Sequence, residues 1–258
     1  MLSNGSRASR VRRLPPAAIS VVLALALWQL ATSVGPLADL SIPSVVETGQ
    51  ALIAELSSSE FYVRLWETIQ MAVVGFVVAM ALAIPAGILI GLSRFAWRST
   101  KFTFDFFKVI PPIVIIPIVI LVLGPTMQMG IFLVVFTLVF AMAIQTGLGV
   151  RDADAVLLET MRCYGLGTWS QIRYARLPSA APYIAVGVRL SASAALVVAI
   201  VAGLIGGAPG LGKTILLAQA SGDDPRTFAT VFVLGVLGIL VSRAVTWLQR
   251  RSIFWMPS

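Results

Sequence analysis

The sequence predicts an all-α polytopic membrane protein of about six transmembrane helices, with both termini in the cytoplasm and a helix–turn–helix in the longest cytoplasmic loop. Three observations predict it. Of 258 residues, 58% are hydrophobic and 12% charged, where an ordinary soluble domain carries about a quarter charged residues. The mean hydropathy is +0.94, so polar side chains are too few to cover a globular surface of this size, whereas lipid accepts apolar surface freely. The apolar residues fall in six runs, and the basic residues are scattered between them rather than gathered on one face.

The first run, 17–34, follows Arg7, Arg10, Arg12 and Arg13. A secretory signal peptide shares that layout, and small residues after the run leave cleavage open; the later runs make an uncleaved first span the expectation. The second, 68–92, carries Gly75, Ala79, Ala83, Ala86, Gly87 and Gly91, small residues that let helices approach closely in lipid. The third, 109–123, is short and holds Pro111, Pro112 and Pro117. Those prolines predict a kinked helix packed inside the bundle. It can begin earlier, near Phe102, with Asp105 and Lys108 paired one turn apart at the membrane surface. Runs 128–149, 183–206 and 228–248 complete the set.

Placing the N-terminus inside puts sixteen of the nineteen Lys and Arg in the cytoplasm and only Arg64, Lys213 and Arg226 outside, as the positive-inside rule requires. Asp39, Glu47, Glu55, Glu60 and Glu67 then lie in the first outer loop. The chain divides into 1–60 (basic tail, first helix and outer loop), 61–250 (transmembrane domain) and 251–258 (cytoplasmic tail).

Several functions are excluded. Cys163 is the only cysteine and there is no histidine, so no intrachain disulfide, His-based metal site or His general base is available. No catalytic residue or metal site is expected, and scattered basic residues do not make a nucleic-acid surface. No acid or base is expected deep in a span, so a proton-coupled transporter lacks its usual relay. Gln70, Gln145, Ser191 and Ser193 are candidates for a polar path through the bundle; interhelical hydrogen bonding accounts for them equally well.

Residues 207–214 fit the P-loop pattern G-x-x-x-x-G-K-[ST]. A working P-loop lies between a buried strand and a helix, on the side where ATP is. This one follows a helix-length run, lies outside, and precedes no strand ending in a carboxylate for Mg²⁺. The expectation is a Gly-rich external turn, with Gly210 and Gly212 making the turn and Lys213 available to a binding protein or an anionic substrate.

The longest cytoplasmic loop, 150–183, is too polar for lipid and too regular for a linker. Asp152 or Asp154 can cap a helix start. Residues 155–164 read as a short amphipathic helix with Val156, Leu157, Met161 and Tyr164 on one side. Gly165 and Gly167 break it, and 169–174 form a second short helix ended by Leu177-Pro178. The spacing Glu159-x5-Gly165-x9-Ala175-x-Leu177-Pro178 resembles the EAA loop of bacterial ABC importer permeases, with Thr160 and Met161 in place of two alanines and Ala175 in place of isoleucine. The stretches "RLWETIQMAVVGFVVAMALAIPAGILIGLSR", "VIPPIVIIPIVILVLG" and "GLGKTI" are similar to the nitrate/sulfonate/taurine group, which often has Glu near the place of Gly203.

The resemblance implies a type I permease of the bacterial inner membrane, not itself an enzyme. It implies a homodimer in lipid around a path for a sulfonate-, nitrate- or taurine-like anion or a similar small solute. Two cytoplasmic ABC ATPase subunits would hold ATP and Mg, and an extracytoplasmic binding protein would deliver substrate. Glu159, Met161, Tyr164, Gly165, Trp169, Leu177 and Pro178 would form the loop that couples to the ATPases. An ion-coupled transporter, or a membrane ATPase using 207–214, is the alternative.

Overall fold

The computed structural model describes residues 16–34 and 42–252; Arg7, Arg10, Arg12, Arg13 and Asp39 lie outside them. The helices are α1 Pro16–Ser33, α2 Val45–Leu56, α3 Ser59–Leu92, α4 Arg94–Val109, α5 Pro112–Leu123, α6 Met127–Arg151, α7 Ala155–Cys163, α8 Thr168–Gln171, α9 Leu177–Gly206, α10 Leu211–Ala220 and α11 Asp224–Ser252. A π-helical turn, Ile172–Arg176, joins α8 to α9. Among the described residues no strand occurs.

Among the described residues, four stretches are long and apolar enough to cross a membrane: α3, α6, α11 and the run containing α9. Helices α4 and α5 make a fifth if their 87° bend is a break within one span. Helix α1 has 18 residues, at the short end of what can cross. Against the six crossings expected, the described residues thus hold four helices of crossing length, or five with the bent pair, and α1 is apolar but shorter.

Glycine contacts give the directions. A Cβ on Gly75 would lie 2.6 Å from Val134, one on Gly87 2.5 Å from the Ala143 carbonyl, and one on Gly91 2.8 Å from the Gly147 carbonyl. Helices α3 and α6 therefore run parallel with backbones in near contact, the use of small residues expected from the sequence. Helix α9 runs antiparallel to α6: Gly149 meets Ala180 and Tyr183, Gly187 meets Met142, and Gly206 meets Met129. Between these three helices lie fully buried Met71, Met129, Leu133, Val134, Met142 and Ala202. The bundle has two ends. One carries α7 and α8 and the start of α9, here the loop end; the other carries the Gly206–Leu211 turn, here the turn end.

At the turn end, α2 begins with a capping box. The Glu47 N–H donates to Ser44 Oγ (3.2 Å) and the Ser44 N–H donates to Glu47 Oε2 (2.7 Å). Those hydrogen bonds, the backbone one first, hold the Glu47 carboxyl below its ordinary value. An ion pair between Glu55 and Arg226 ties α2 to α11.

The third span differs from the expectation. It begins at Arg94, and only α5, 12 residues, follows the bend. Pro111 and Pro112 remove two successive N–H donors, and Ile110, preceding proline, takes extended backbone (ψ 116). Helix α4 then climbs back along α6. Trp97 packs on Gly147 beneath Arg151, Phe104 meets Phe140, and Phe107 meets both Phe140 and Phe136. The Asp105–Lys108 ion pair forms as expected, but opposite the middle of α6 rather than at its end. If α4 and α5 are one broken span, this pair is a charged exception to the apolar interiors expected of the spans. Hydropathy, which averages a helix over all its faces, hid a polar stripe on an otherwise aromatic segment.

Candidate functional site

The loop end is built as a rigid unit. Asp154, rather than Asp152, caps α7, accepting from the Val156 N–H at 2.8 Å. Asp152 closes α6 and accepts from the Tyr183 hydroxyl at 2.8 Å. Helix α7 ends in a Schellman motif: the Leu166 N–H donates to the Met161 carbonyl and the Gly165 N–H to the Arg162 carbonyl, both at 2.9 Å. This requires the left-handed backbone found at Gly165 (φ 72), where an L side chain is strained. The Gln171 amide, itself buried, donates to the Leu166 carbonyl at 3.1 Å and fastens the turn to α8. Gln171 has no signal in the sequence pattern, because its partner is a backbone carbonyl.

The candidate residues here separate into two sets. Met161 is 7% exposed and Ala175 2%, both packed within this chain. Tyr164 is 81% exposed and Trp169 72%, with Val156, Leu157 and Tyr174 also exposed. Glu159 and Pro178 are exposed and Leu177 is half-buried. Leu177-Pro178 was expected to end the second short helix. It instead opens α9, with the proline in its first turn, and the π turn Ile172–Arg176 continues directly into it, the Leu177 N–H donating to the Ile172 carbonyl.

At the turn end, Gly210 (φ 124) precedes α10. A Cβ there would lie 2.5 Å from Thr68 Oγ1, and one on Gly212 would lie 2.2 Å from the Ile200 carbonyl. The Leu211 N–H donates to Thr68 Oγ1 at 2.8 Å in the interior. Leu211, Thr214 and Ile215 are buried, and Lys213 is half-buried. Backbone amides at this position would have to point at a phosphate in a P-loop; here one is bonded to α3 and the turn is closed by packing. The glycines are demanded by close approach of α10 to α3 and α9.

The four polar path candidates do not converge. Gln70 neighbours Met71, which meets Gly130, whereas Gln145 packs beside Gly187. Gly130 and Gln145 are ~22 Å apart along α6. Ser191 is buried and Ser193 exposed on α9.

A lipid-length helical bundle closed at one end by a packed turn, with a rigid helix–turn–helix projecting apolar side chains from the other, is the architecture of an ABC importer permease, the transmembrane subunit that forms the solute path. The chain belongs to the family of binding-protein-dependent transport system inner membrane components, whose family model matches residues 83–253. It is 30% identical over 234 residues to the putative aliphatic sulfonates transport permease of Escherichia coli strain K12, covering 91% of this chain and 89% of that one. It is 24% identical over 248 residues to the nitrate import permease of Leptolyngbya laminosa, covering 94% and 89%. Among solved structures, a chain of the MetNI methionine ABC transporter in an inward-facing conformation has the same fold, with TM-score 0.65, 20% identity, and coverage of 74% of this chain and 95% of that one.

Proposed function

We propose that this permease works as a homodimer embedded in lipid, carries a small anion, and takes its driving force from two ABC ATPase subunits that hold ATP and Mg. The ATPases dock on the exposed face of α7 and α8. That end faces the cytoplasm, with both termini on the same side and residues 61–250 forming the transmembrane domain. The extracytoplasmic binding protein delivers substrate at the turn end, within reach of Lys213. The observation that carries this reading is the contrast at the loop end. Met161, Ala175 and Gln171 are buried, Gln171 tying the turn to α8 and Ala175 lying in the π turn that packs on α6 and α9, while Tyr164 and Trp169 stand in the open with large apolar surfaces uncovered. Apolar groups so displayed on a rigid support suit a protein partner. A wedge fixed in this way transmits a rigid-body movement of the ATPases to α6 and α9, its two points of attachment. Glu159 on the same helix offers a charge to a basic groove. The anion class is supported by the sulfonate and nitrate permeases among its relatives.

The test is the double variant Tyr164→Asp with Trp169→Asp. Both side chains are exposed, so the chain should reach the membrane at wild-type level. ATP hydrolysis co-purifying with the tagged chain from native membranes should fall at least about tenfold, on the order of 1.4 kcal/mol of lost docking energy. Undiminished ATPase recovery would refute the docking face.

A further inference from the structure

Helix α4 carries a feature that the coupling loop and the turn leave unused. Arg94, Arg98, Lys101, Asp105 and Lys108 recur at spacings of four and three, so they form one stripe along the helix. The stripe begins at the loop end, where Trp97 packs on Gly147. It rises beside α6 to the level at which Phe107 meets Phe136 and Phe140. At 1.5 Å per residue, Phe136 is ~22 Å from Arg151 at one end of α6 and ~14 Å from Met127 at the other. The Asp105–Lys108 pair therefore lies near the middle of a ~30 Å hydrocarbon layer. Its side chains remain 36% and 37% exposed, so this chain does not enclose them.

Lipid cannot be what they face. Charged groups at that depth are costly and turn toward the bundle interior or a water-filled cavity. The lipid-compatible surface of α4 lies about a quarter turn round the helix, where Phe95, Phe102, Phe106 and Val109 are 58–81% exposed. The stripe holds four cations against one carboxylate. A net positive wall in a narrow low-dielectric passage raises the local concentration of anions.

We infer that the α4 stripe lines the loop-end half of the translocation path and selects a small hydrated anion, with Asp105 holding Lys108 in place until the anion competes for it. This rests on the reading of the chain as an importer permease and names the part of its path that sets charge selectivity. Lys101 and Lys108 are the specificity-determining residues, in place of the glutamines and serines of α3, α6 and α9.

The test uses the full chain in inside-out native-membrane vesicles, with Cys163→Ser as background. Single cysteines are placed on the stripe (Lys101→Cys, Lys108→Cys) and on the neighbouring apolar face (Phe102→Cys, Phe106→Cys). Each is reacted with the anionic sulfonatoethyl and the cationic trimethylammonium-ethyl methanethiosulfonates, with rates divided by those on a free thiol. Both stripe cysteines should react. At Lys101→Cys the anionic reagent should be at least about fivefold faster, as a net positive wall a few ångströms away requires; at Lys108→Cys, which leaves the Asp105 carboxylate unpaired, that preference should shrink, and the Phe102 and Phe106 positions should stay silent. Silence at 101 and 108 would place the stripe in lipid or a dry contact; equal rates for both reagents at 101 would mean water without anion selection. Either result overturns the inference. Lys101→Cys leaves the Asp105–Lys108 pair intact and decides the matter if Lys108→Cys fails to assemble. Labelling needs no ATPase, so a failure of the importer reading appears separately, as absence of ATPase with the unmodified chain.

Discussion

Thr68→Val isolates what holds the glycine turn in place. The Thr68 side chain is 1% exposed; its Oγ1 accepts from the Leu211 N–H at 2.8 Å and its hydroxyl donates to the Arg64 carbonyl at 3.0 Å. Valine keeps the volume and removes the oxygen, so the interior Leu211 N–H loses its partner, while Arg64 O retains its own place in the helical ladder. A buried donor left unpaired costs about 1–3 kcal/mol. For a chain of this size that corresponds to a fall in melting temperature of roughly 3–9 °C. The assay is thermal unfolding of the detergent-purified chain by fluorescence-detected gel filtration. Thr68→Ser keeps the acceptor and should recover most of the loss, and Ser221→Ala, exposed at the far end of α10, should leave the melting temperature within about 1–2 °C of wild type, as surface substitutions do. A Thr68→Val protein that melts with the wild type would refute the claim that this turn is a packing device. A turn that gained ATP binding in its place would revive the phosphate-cradle alternative.

Two further outcomes follow from the same contacts. Gly87→Ala forces a methyl to 2.5 Å from the Ala143 carbonyl, an atom that cannot move aside, whereas nothing lies within 4 Å of Gly49 in α2. Thermal unfolding should show Gly87→Ala destabilised by about 1–3 kcal/mol and Gly49→Ala stabilised by about 0.5–1 kcal/mol; equal effects would contradict the packing of α3 on α6. The Glu47 carboxyl is held below its ordinary value of 4.5 by the capping box. Its contribution is therefore full above that value and is lost as pH falls through the lower folded one. Amide exchange over 44–48, corrected for intrinsic rates, should quicken in the wild type as pH falls through that lowered value, and at neutral pH only in Glu47→Ala.

The loop end was legible in the sequence because its signals are local. A cap at Asp154, a glycine at 165 and a proline at 178 each act within one or two turns, and their spacing carries the family resemblance. The crossing helices were legible through composition, and the glycines of α3 through the need for close approach in lipid. The path was not. Gln70, Gln145, Ser191 and Ser193 stand out as polar residues in apolar runs, and packing within one chain spreads them over different depths without selecting among them. In the sequence, Asp105 and Lys108 read as a pair at the membrane surface, because charge depresses hydropathy wherever it lies on the helix. Only the right-angle bend at Pro111 and the aromatic contacts with α6 reveal that the segment turns upward. The end of the second short helix is hidden in the same way, since a proline can open a helix as readily as it closes one.

The central claim is that ATP is hydrolysed by a partner seated on α7 and α8. Cys163, the chain's single cysteine, is exposed at the last residue of α7, next to Tyr164. A photoactivatable cross-linker attached there in native membranes, followed by illumination and mass spectrometry, reads directly what lies against this face. The account predicts an adduct with a subunit that carries its own nucleotide-binding sequence, absent from the Cys163→Ser chain. Complete labelling of Cys163 with adducts only to lipid or to a second copy of this chain would contradict it.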